Sequence, residues 1–326
     1  MNKIIGLGNA LVDIMTILEN DEFLEQNNLP KGSMQLVDQS QSEQVNNAAK
    51  NLEQKLTSGG SAANTMYSLA KLGVDSSYIG KISNDEYGNF FKKDMEDSGV
   101  NTILFDSQTP SGVAMALVSK DGERTFATYL GAAVELDQND LLAEHFEGKD
   151  IFHIEGYLVY NHPLMLKAAE LAKQFGLKIS LDLASYNVVE DNLDFLKDYI
   201  QKYVDIVFAN EEEAKAFTGK EPEEALNDIA EMAEIAVVKV GKDGSMVKTN
   251  GKKYNTGVID VNMVDTTGAG DSYAAGFLYG LVNDYNPAAC AEIGAILSGK
   301  VIEFIGAKPD EKTWNDIKDL ISKVEK

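Results

Sequence analysis

Six short apolar runs set the architecture: KIIGLG at 3 to 8, SYIGKI at 77 to 82, DIFHIE at 150 to 155, KISLDL at 178 to 183, VDIVFA at 204 to 209 and IAVVKV at 235 to 240. Between most of them lie helical patterns, such as SAANTMYSLAKLG at 61 to 73, HPLMLKAAELAKQFG at 162 to 176 and NEEEAKAFTG at 210 to 219. Each closes on Gly, the residue most at ease in the left-handed turn that ends a helix. A strand followed by a helix returns the chain in its starting direction, so repeated alternation builds a mainly parallel sheet with helices on both faces. The expectation is a three-layer α/β/α fold whose ligands lie beyond the carboxyl ends of the strands.

Two segments interrupt the alternation. In SGVAMALVSKDGERTFATYL at 111 to 130, β-prone runs flank Asp121-Gly122, a hairpin turn signal. The other runs from 13 to 37. Together they predict a small, discontinuous β-sheet lid on a single domain covering 1 to 326. No repeat, low-complexity tract or flexible linker favours two separate beads.

Charge narrows the partners. Lys and Arg number 29 against 52 Asp and Glu, a formal net charge of -23, so the surface repels nucleic acid and anionic lipid. Free nucleotides stay admissible, because one pocket can differ in sign from the whole. The single Cys290 sits in an apolar helical pattern, where a buried thiol in a reducing cytoplasm is the simplest reading. Asn9 and Asp13 interrupt the apolar N-terminal run, which argues against a signal peptide, and no apolar run has the length of a membrane span.

Three glycine-rich stretches carry the chemistry. GLGN at 6 to 9 follows a strand and has the first two glycines of a dinucleotide fingerprint, but Leu11 stands where the third belongs. An NAD-dependent oxidoreductase is therefore disfavoured. Asp13 follows closely and is suited to accept two hydrogen bonds from a vicinal diol, though spacing alone favours a cap or turn aspartate. In SGGSAANTMYSLAKLG at 58 to 73, Gly59 and Gly60 permit close backbone approach, and Ser61 or Asn64 can cap the helix or reach a ligand.

DTTGAGD at 265 to 271 is more informative. Gly268, Ala269 and Gly270 leave the backbone open at the start of a small-residue helix, where N–H groups converge into an anion hole. Asp271 there either caps the helix or takes a proton from a substrate hydroxyl that attacks a phosphoryl group held by those amides. The second use explains why the loop ends in an acid and not a lysine. No GxxxxGK[ST] motif, protein-kinase motif or GxSxG is present, and His145, His153 and His162 lack metal-ligand spacing.

With these residues in view, the chain resembles the ribokinase-like (phosphofructokinase-B) superfamily of carbohydrate and nucleoside kinases. GGSAANTMYSLAKLG at 59 to 73 and DTTGAGDSYAAGFLYGL at 265 to 281 match its two signatures, in that order. The resemblance implies ATP as co-substrate, Mg²⁺, and in some members a monovalent cation. It implies Asp271 as base, with Gly268, Ala269 and Gly270 around the transferred phosphoryl. Asn9, Asp13, Gly59, Gly60 and Asn64 would contact the sugar. Asn210 and Glu213, an NxxE pair, would organise Mg²⁺ through water. Arg124 would come over the phosphates from the lid, although a surface role also fits it. The nucleotide would lie near Gly241, Gly244, Thr266, Gly294 and Ser298.

Within the superfamily the likeness is to adenosine kinases and adenosine-kinase-like bacterial enzymes, through GNALVDI at 8 to 14, KGSMQLVD at 31 to 38, FHIEGYLVY at 152 to 160 and VDIVFANEEEA at 204 to 214. It implies Gln35 pointing from the lid toward a base and Tyr157 stacking on a purine, though Tyr157 on a strand-following turn also reads as core. DTTGAGD departs from the DTNGAGD of animal adenosine kinases, which bears on the nucleoside more than on the chemistry. The expected activity is phosphorylation of a nucleoside 5′-hydroxyl, with a free-sugar kinase for ribose or fructose as the alternative. A catalytically silent binding protein is opposed by Asp271 beside an intact glycine turn. Strand pairing through the lid would give a homodimer, and a monomer is equally compatible.

Overall fold

The computed structural model describes residues 3–326. Its strands, in chain order, are β1 Lys3–Leu7, β2 Leu11–Ile17, β3 Met34–Leu36, β4 Gln54–Gly59, β5 Asp75–Ser83, β6 Asn101–Ser107, β7 Gly112–Val118, β8 Arg124–Tyr129, β9 Ile151–Glu155, β10 Lys178–Asp182, β11 Ile206–Asn210, β12 Ile235–Lys239, β13 Ser245–Thr249 and β14 Lys252–Thr256. Each of the six apolar runs forms a strand within two residues of its expected bounds.

The larger sheet has the order β14-β13-β12-β11-β10-β9-β1-β5-β6 and is parallel from β12 to β6. Only β13 and β14 run antiparallel, because their connections are too short to cross over. Asn250 and Gly251 both take positive φ, 49° and 72°, as a two-residue hairpin turn requires.

Along the central strands, successive side chains enter opposite cores. Ile4, Ile206, Phe208, Ile235 and Val237 pack with the helices Ser61–Lys71, Ala269–Val282 and Pro287–Val301. Their neighbours Ile5, Val207, Ala209, Ala236 and Val238 pack with the helices His162–Gln174, Leu193–Tyr203 and Glu211–Thr218. Burial on both faces is why these strands read as continuous apolar runs and not as alternating ones.

The strand order reverses between β1 and β9, because β1 is followed on one side by β5 and on the other by β9. Chains leaving the carboxyl ends of these two strands diverge and open a crevice. The smaller sheet, β3-β8-β7-β2-β4, draws on both interrupting segments. It also exceeds the 13 to 37 bound: β2 starts at Leu11, and β4 joins after a polar helix, Gln39–Ala49, capped by Asp38. β4 delivers its last residue, Gly59, straight into the helix Ser61–Lys71. Among the described residues no helix is long and apolar enough to cross a membrane.

Candidate active site

The crevice is lined first by the turn from β1 to β2 and by β4. In the antiparallel β2–β4 pair, Leu11 faces Gly59 and Asp13 faces Thr57. A side-chain carbon on Gly59 would fall 2.3 Å from the Asp13 carboxylate, and one on Gly60 would fall 2.2 Å from the Asn9 carbonyl oxygen. Gly60 also takes φ of +98°, so both positions demand glycine. Asp13 accepts no hydrogen bond from any described residue. Burial pushes its carboxyl up to about 7, with Lys308 pulling it down and Asp271 adding to the rise.

Asn9 is fixed from below by Glu155, the last residue of β9. One Glu155 oxygen accepts the Asn9 backbone and side-chain N–H groups at 2.9 and 2.7 Å, and the other accepts the Ala62 N–H at 3.0 Å. Burial raises Glu155 to about 7, against the pull of these donors. The Asn9 side-chain oxygen is buried without a partner.

The second half of the crevice is the loop 265–271. Gly268, at φ 73°, caps the helix Ala269–Val282. Thr266 is exposed, and its carbonyl accepts the Ala269 N–H at 3.1 Å, while Gly268 accepts that of Ser272 at 2.9 Å. The N–H groups of Gly268, Gly270 and Asp271 meet no acceptor among the described residues. They form the positive end of a helix dipole, open to an anion.

Asp271 does not occupy that hole. Its carboxylate accepts the Ser61 hydroxyl at 2.7 Å and the Asn64 amide at 2.9 Å, both from the start of the helix Ser61–Lys71. The two glycine turns thus face one another with Asp271 between them. Burial raises Asp271 to about 6; Asn64, Ser61 and Lys239 act to lower it and Asp182 to raise it.

Lys239, at the end of β12, places its ammonium 3.0 Å from where a side-chain carbon on Gly270 would lie, and donates to Asp182 at 2.9 Å. Neither residue stood out in the sequence as part of the site. Each is a charge at the end of an otherwise apolar strand run, which is the signal that would have exposed it. Asp182 also accepts the N–H of Ala184, whose φ of 70° is unusual for a residue with a side chain.

Asn210 and Glu213 form a reciprocal cap. The Asn210 oxygen accepts the Glu213 N–H at 2.8 Å, and the two Glu213 oxygens accept the Asn210 backbone and amide N–H groups, each at 2.7 Å. Glu213 is buried and rises to about 7, through burial and then the neighbouring Asp182. This is no solvated helix start. Each of these oxygens accepts one N–H and keeps a lone pair for water, and among the described residues no group of three or more His, Cys, Asp or Glu is placed to hold a metal.

Arg124, from the smaller sheet, ion-pairs with Asp265 and donates to the Thr267 hydroxyl at 2.7 Å. It is thereby brought to the anion loop, held by an acid that also accepts the Gly306 N–H at 2.6 Å.

The remaining expected residues are more dispersed. Gly241 and Gly244 bound a turn at φ +54° and +94°, and a side-chain carbon on Gly244 would strike the Thr256 carbonyl at 1.9 Å. Gly294 is buried in a helix crossing, where a side-chain carbon would lie 3.0 Å from the Tyr273 carbonyl; it serves packing there. Ser298, a turn further on, is half-buried. Tyr157 is half-buried, its hydroxyl 3.5 Å from the Ala184 carbonyl, and the acids Glu155 and Asp271 both act on it. Gln35 pairs with Ala127 on the edge of the smaller sheet, and no side-chain hydrogen bond ties it to the other site residues.

Residues 32–314 match the pfkB family carbohydrate kinase family. The structure is similar to that of a probable sugar kinase protein from Rhizobium etli, with TM-score 0.88 and 33% identity over 98% of both chains. It is equally similar to adenosine kinase from Sinorhizobium meliloti, with TM-score 0.87 and 32% identity over 98% of this chain and 99% of that one. Adenosine kinase 2 of Arabidopsis thaliana is 26% identical over 95% of this chain and 96% of its own.

Proposed function

Since the chain belongs to the pfkB family of carbohydrate kinases, we propose that it transfers the γ-phosphoryl group of ATP to the 5′-hydroxyl of a nucleoside, adenosine foremost. The observation that carries this proposal is the seating of Asp271 by Ser61 and Asn64, beside three unpaired N–H groups. A carboxylate held off the anion hole is available to a hydroxyl.

Asp13 and the Gly59–Gly60 turn hold the sugar diol, and Asn9 offers its unpartnered oxygen. Asp271 takes the proton of the attacking hydroxyl as the new P–O bond forms and the bond to the ADP oxygen breaks. The negative charge gathering on the transferring group falls among the amides of Gly268, Gly270 and Asp271, where one such donor is typically worth ~3 kcal/mol. Lys239 lies beneath the same turn and adds a fixed positive charge. The smaller sheet acts as the lid that excludes water, with Arg124 drawn to the loop carrying the base. Asn210 and Glu213 would reach any Mg²⁺ bound to the nucleotide phosphates through water, and the ion would supply charge to offset theirs.

Adenosine is favoured by the half-buried Tyr157 ring, which follows β9 and its Glu155, and by the likeness to one adenosine kinase at 32% identity. A free-sugar kinase is the second reading, favoured by the unanchored Gln35 and the similar probable sugar kinase. Both are tested by ADP formation against adenosine, inosine, guanosine, ribose and fructose, with Asp271→Asn as control. Saturable turnover of adenosine, lost by at least ~10² in the variant, is the expected result. Turnover of a free sugar alone would replace the acceptor and keep the mechanism.

A further inference from the structure

Lys308 belongs to neither glycine turn, yet its ammonium reaches the residue before one of them. It donates to the Ser58 hydroxyl and to Asp94 Oδ2 at 2.5 Å, and sits 4.5 Å from the centre of the Tyr67 ring. Its side chain is only 9% exposed. Asp94 in turn accepts the Ser58 N–H at 3.0 Å and the Ser58 hydroxyl at 2.8 Å. Ser58 is therefore gripped by its backbone and its side chain, one residue before the glycine against which Asp13 rests.

The same segment touches the phosphoryl end of the site. Gly306 donates to Asp265, and a side-chain carbon on Gly268 would fall 2.4 Å from the Ala307 methyl. A buried ammonium is costly to keep unless it is paired or put to use. One carboxylate, Asp94, pairs it directly. A second, Asp13, lines the crevice and meets no hydrogen-bond donor among the described residues.

We propose that Lys308 is a positioning residue of the acceptor seat: it grips Ser58 so that the Gly59–Gly60 turn lies against Asp13, and it brings a buried positive charge to the wall of the pocket that receives the acceptor's hydroxyls. This rests on Asp13 and the glycine turn being that seat. The charged groups bearing on the pair come from three elements. Asp271, on the helix Ala269–Val282, opposes ionisation of Asp13, while Lys308 favours it. Burial draws Lys308 below its usual range, Asp94 on the helix Glu86–Asp97 and Asp13 hold it up, and Lys71 on the helix Ser61–Lys71 pushes it down.

The role separates from a structural staple by sign. Removing the ammonium raises the pH at which Asp13 ionises, whereas removing Asp94 leaves more of the Lys308 field to Asp13 and lowers it. A staple broken from either side has no reason to move that titration in opposite directions.

The test uses the whole protein with its aspartates labelled with ¹³C at the carboxyl carbon, the Asp13 resonance being the one lost in Asp13→Asn. The wild-type midpoint is expected at about 7. Lys308→Met should move it upward by ~1 unit, Asp94→Asn should move it downward, and Lys308→Arg should leave it in place. In kinase assays at pH 7, Lys308→Met should raise the acceptor KM about fivefold, with the ATP KM within about twofold. A midpoint unmoved in Lys308→Met, or moved the same way in both charge-removing variants, overturns the proposal. If Lys308→Met does not fold, Asp94→Asn and Lys308→Arg decide it by the same shifts. Should the wild type turn over no acceptor, the proposed function falls, while the titration still decides whether Lys308 sets the charge of Asp13.

Discussion

Lys239 and Gly270 are complementary: the ammonium occupies the space beside the glycine, 3.0 Å from where any side chain would begin. A cation that close to an anion hole reinforces its amides without blocking them. Lys239→Met should lower kcat by ~10² with little change in acceptor KM, and Lys239→Arg should recover only part of it, because a planar fork cannot take the place of a compact point charge. Steady-state kinetics with each substrate varied in turn check this.

Arg124 and Asp265 join the smaller sheet to the anion loop through a largely buried pair. Arg124→Ala leaves Asp265 buried with only the Thr267 and Gly306 N–H groups as partners. The expected cost is on the order of 3 kcal/mol. Hydrogen exchange should quicken in β7 and β8, which lose their tether, and stay slow in β9 to β12.

The acid that makes Asp271 useful also weakens the fold. Its folded pKa of about 6 exceeds the ordinary 3.8, so the folded chain holds a proton that the unfolded chain releases between those values. The stability this contributes is full below about pH 4 and lost as pH rises through about 6. Asp271→Asn should therefore melt at a higher temperature than wild type at pH 8, with the difference vanishing near pH 4, while being inactive at both. In the wild type, kcat at saturating acceptor should fall as pH drops below about 6.

Glu155 ties Asn9 to the first turn of the helix Ser61–Lys71. Glu155→Gln must turn one N–H toward a donor, leaving Asn9 or Ala62 unpaired. A loss of ~1 to 3 kcal/mol in stability is expected, together with a raised acceptor KM, since Asn9 then loses its seat. Chemical denaturation and initial rates measure the two effects.

The sheet was legible because strands buried on both faces are written as unbroken apolar runs, and Gly176 and Gly219 end their helices in plain sight. β4 was not legible, since QKLTSG has too few apolar residues to read as a strand and gains its partner only from β2. β13 and β14 are marked in the sequence only by the Asn250-Gly251 turn between them. In the site, the glycine turns and Asp271 announced themselves by local order. Lys239 and Asp182 showed only as charges ending apolar runs, and they, Glu155 and Lys308 acquire their meaning from neighbours distant in sequence. Lys308 meets Ser58 across 250 positions, and no window along the chain contains that encounter.

The order in which the site's parts occur along the chain has its own consequence. Asn9, Asp13 and the Gly59–Gly60 turn belong to the first portion synthesised, whereas the base, the anion loop and the Gly306–Lys308 segment arrive near the end. A chain still on the ribosome thus carries the parts of the acceptor seat early, but that seat is finished only when Lys308 reaches Ser58. Catalytic competence appears late and all at once, when the closing residues reach back to Ser58.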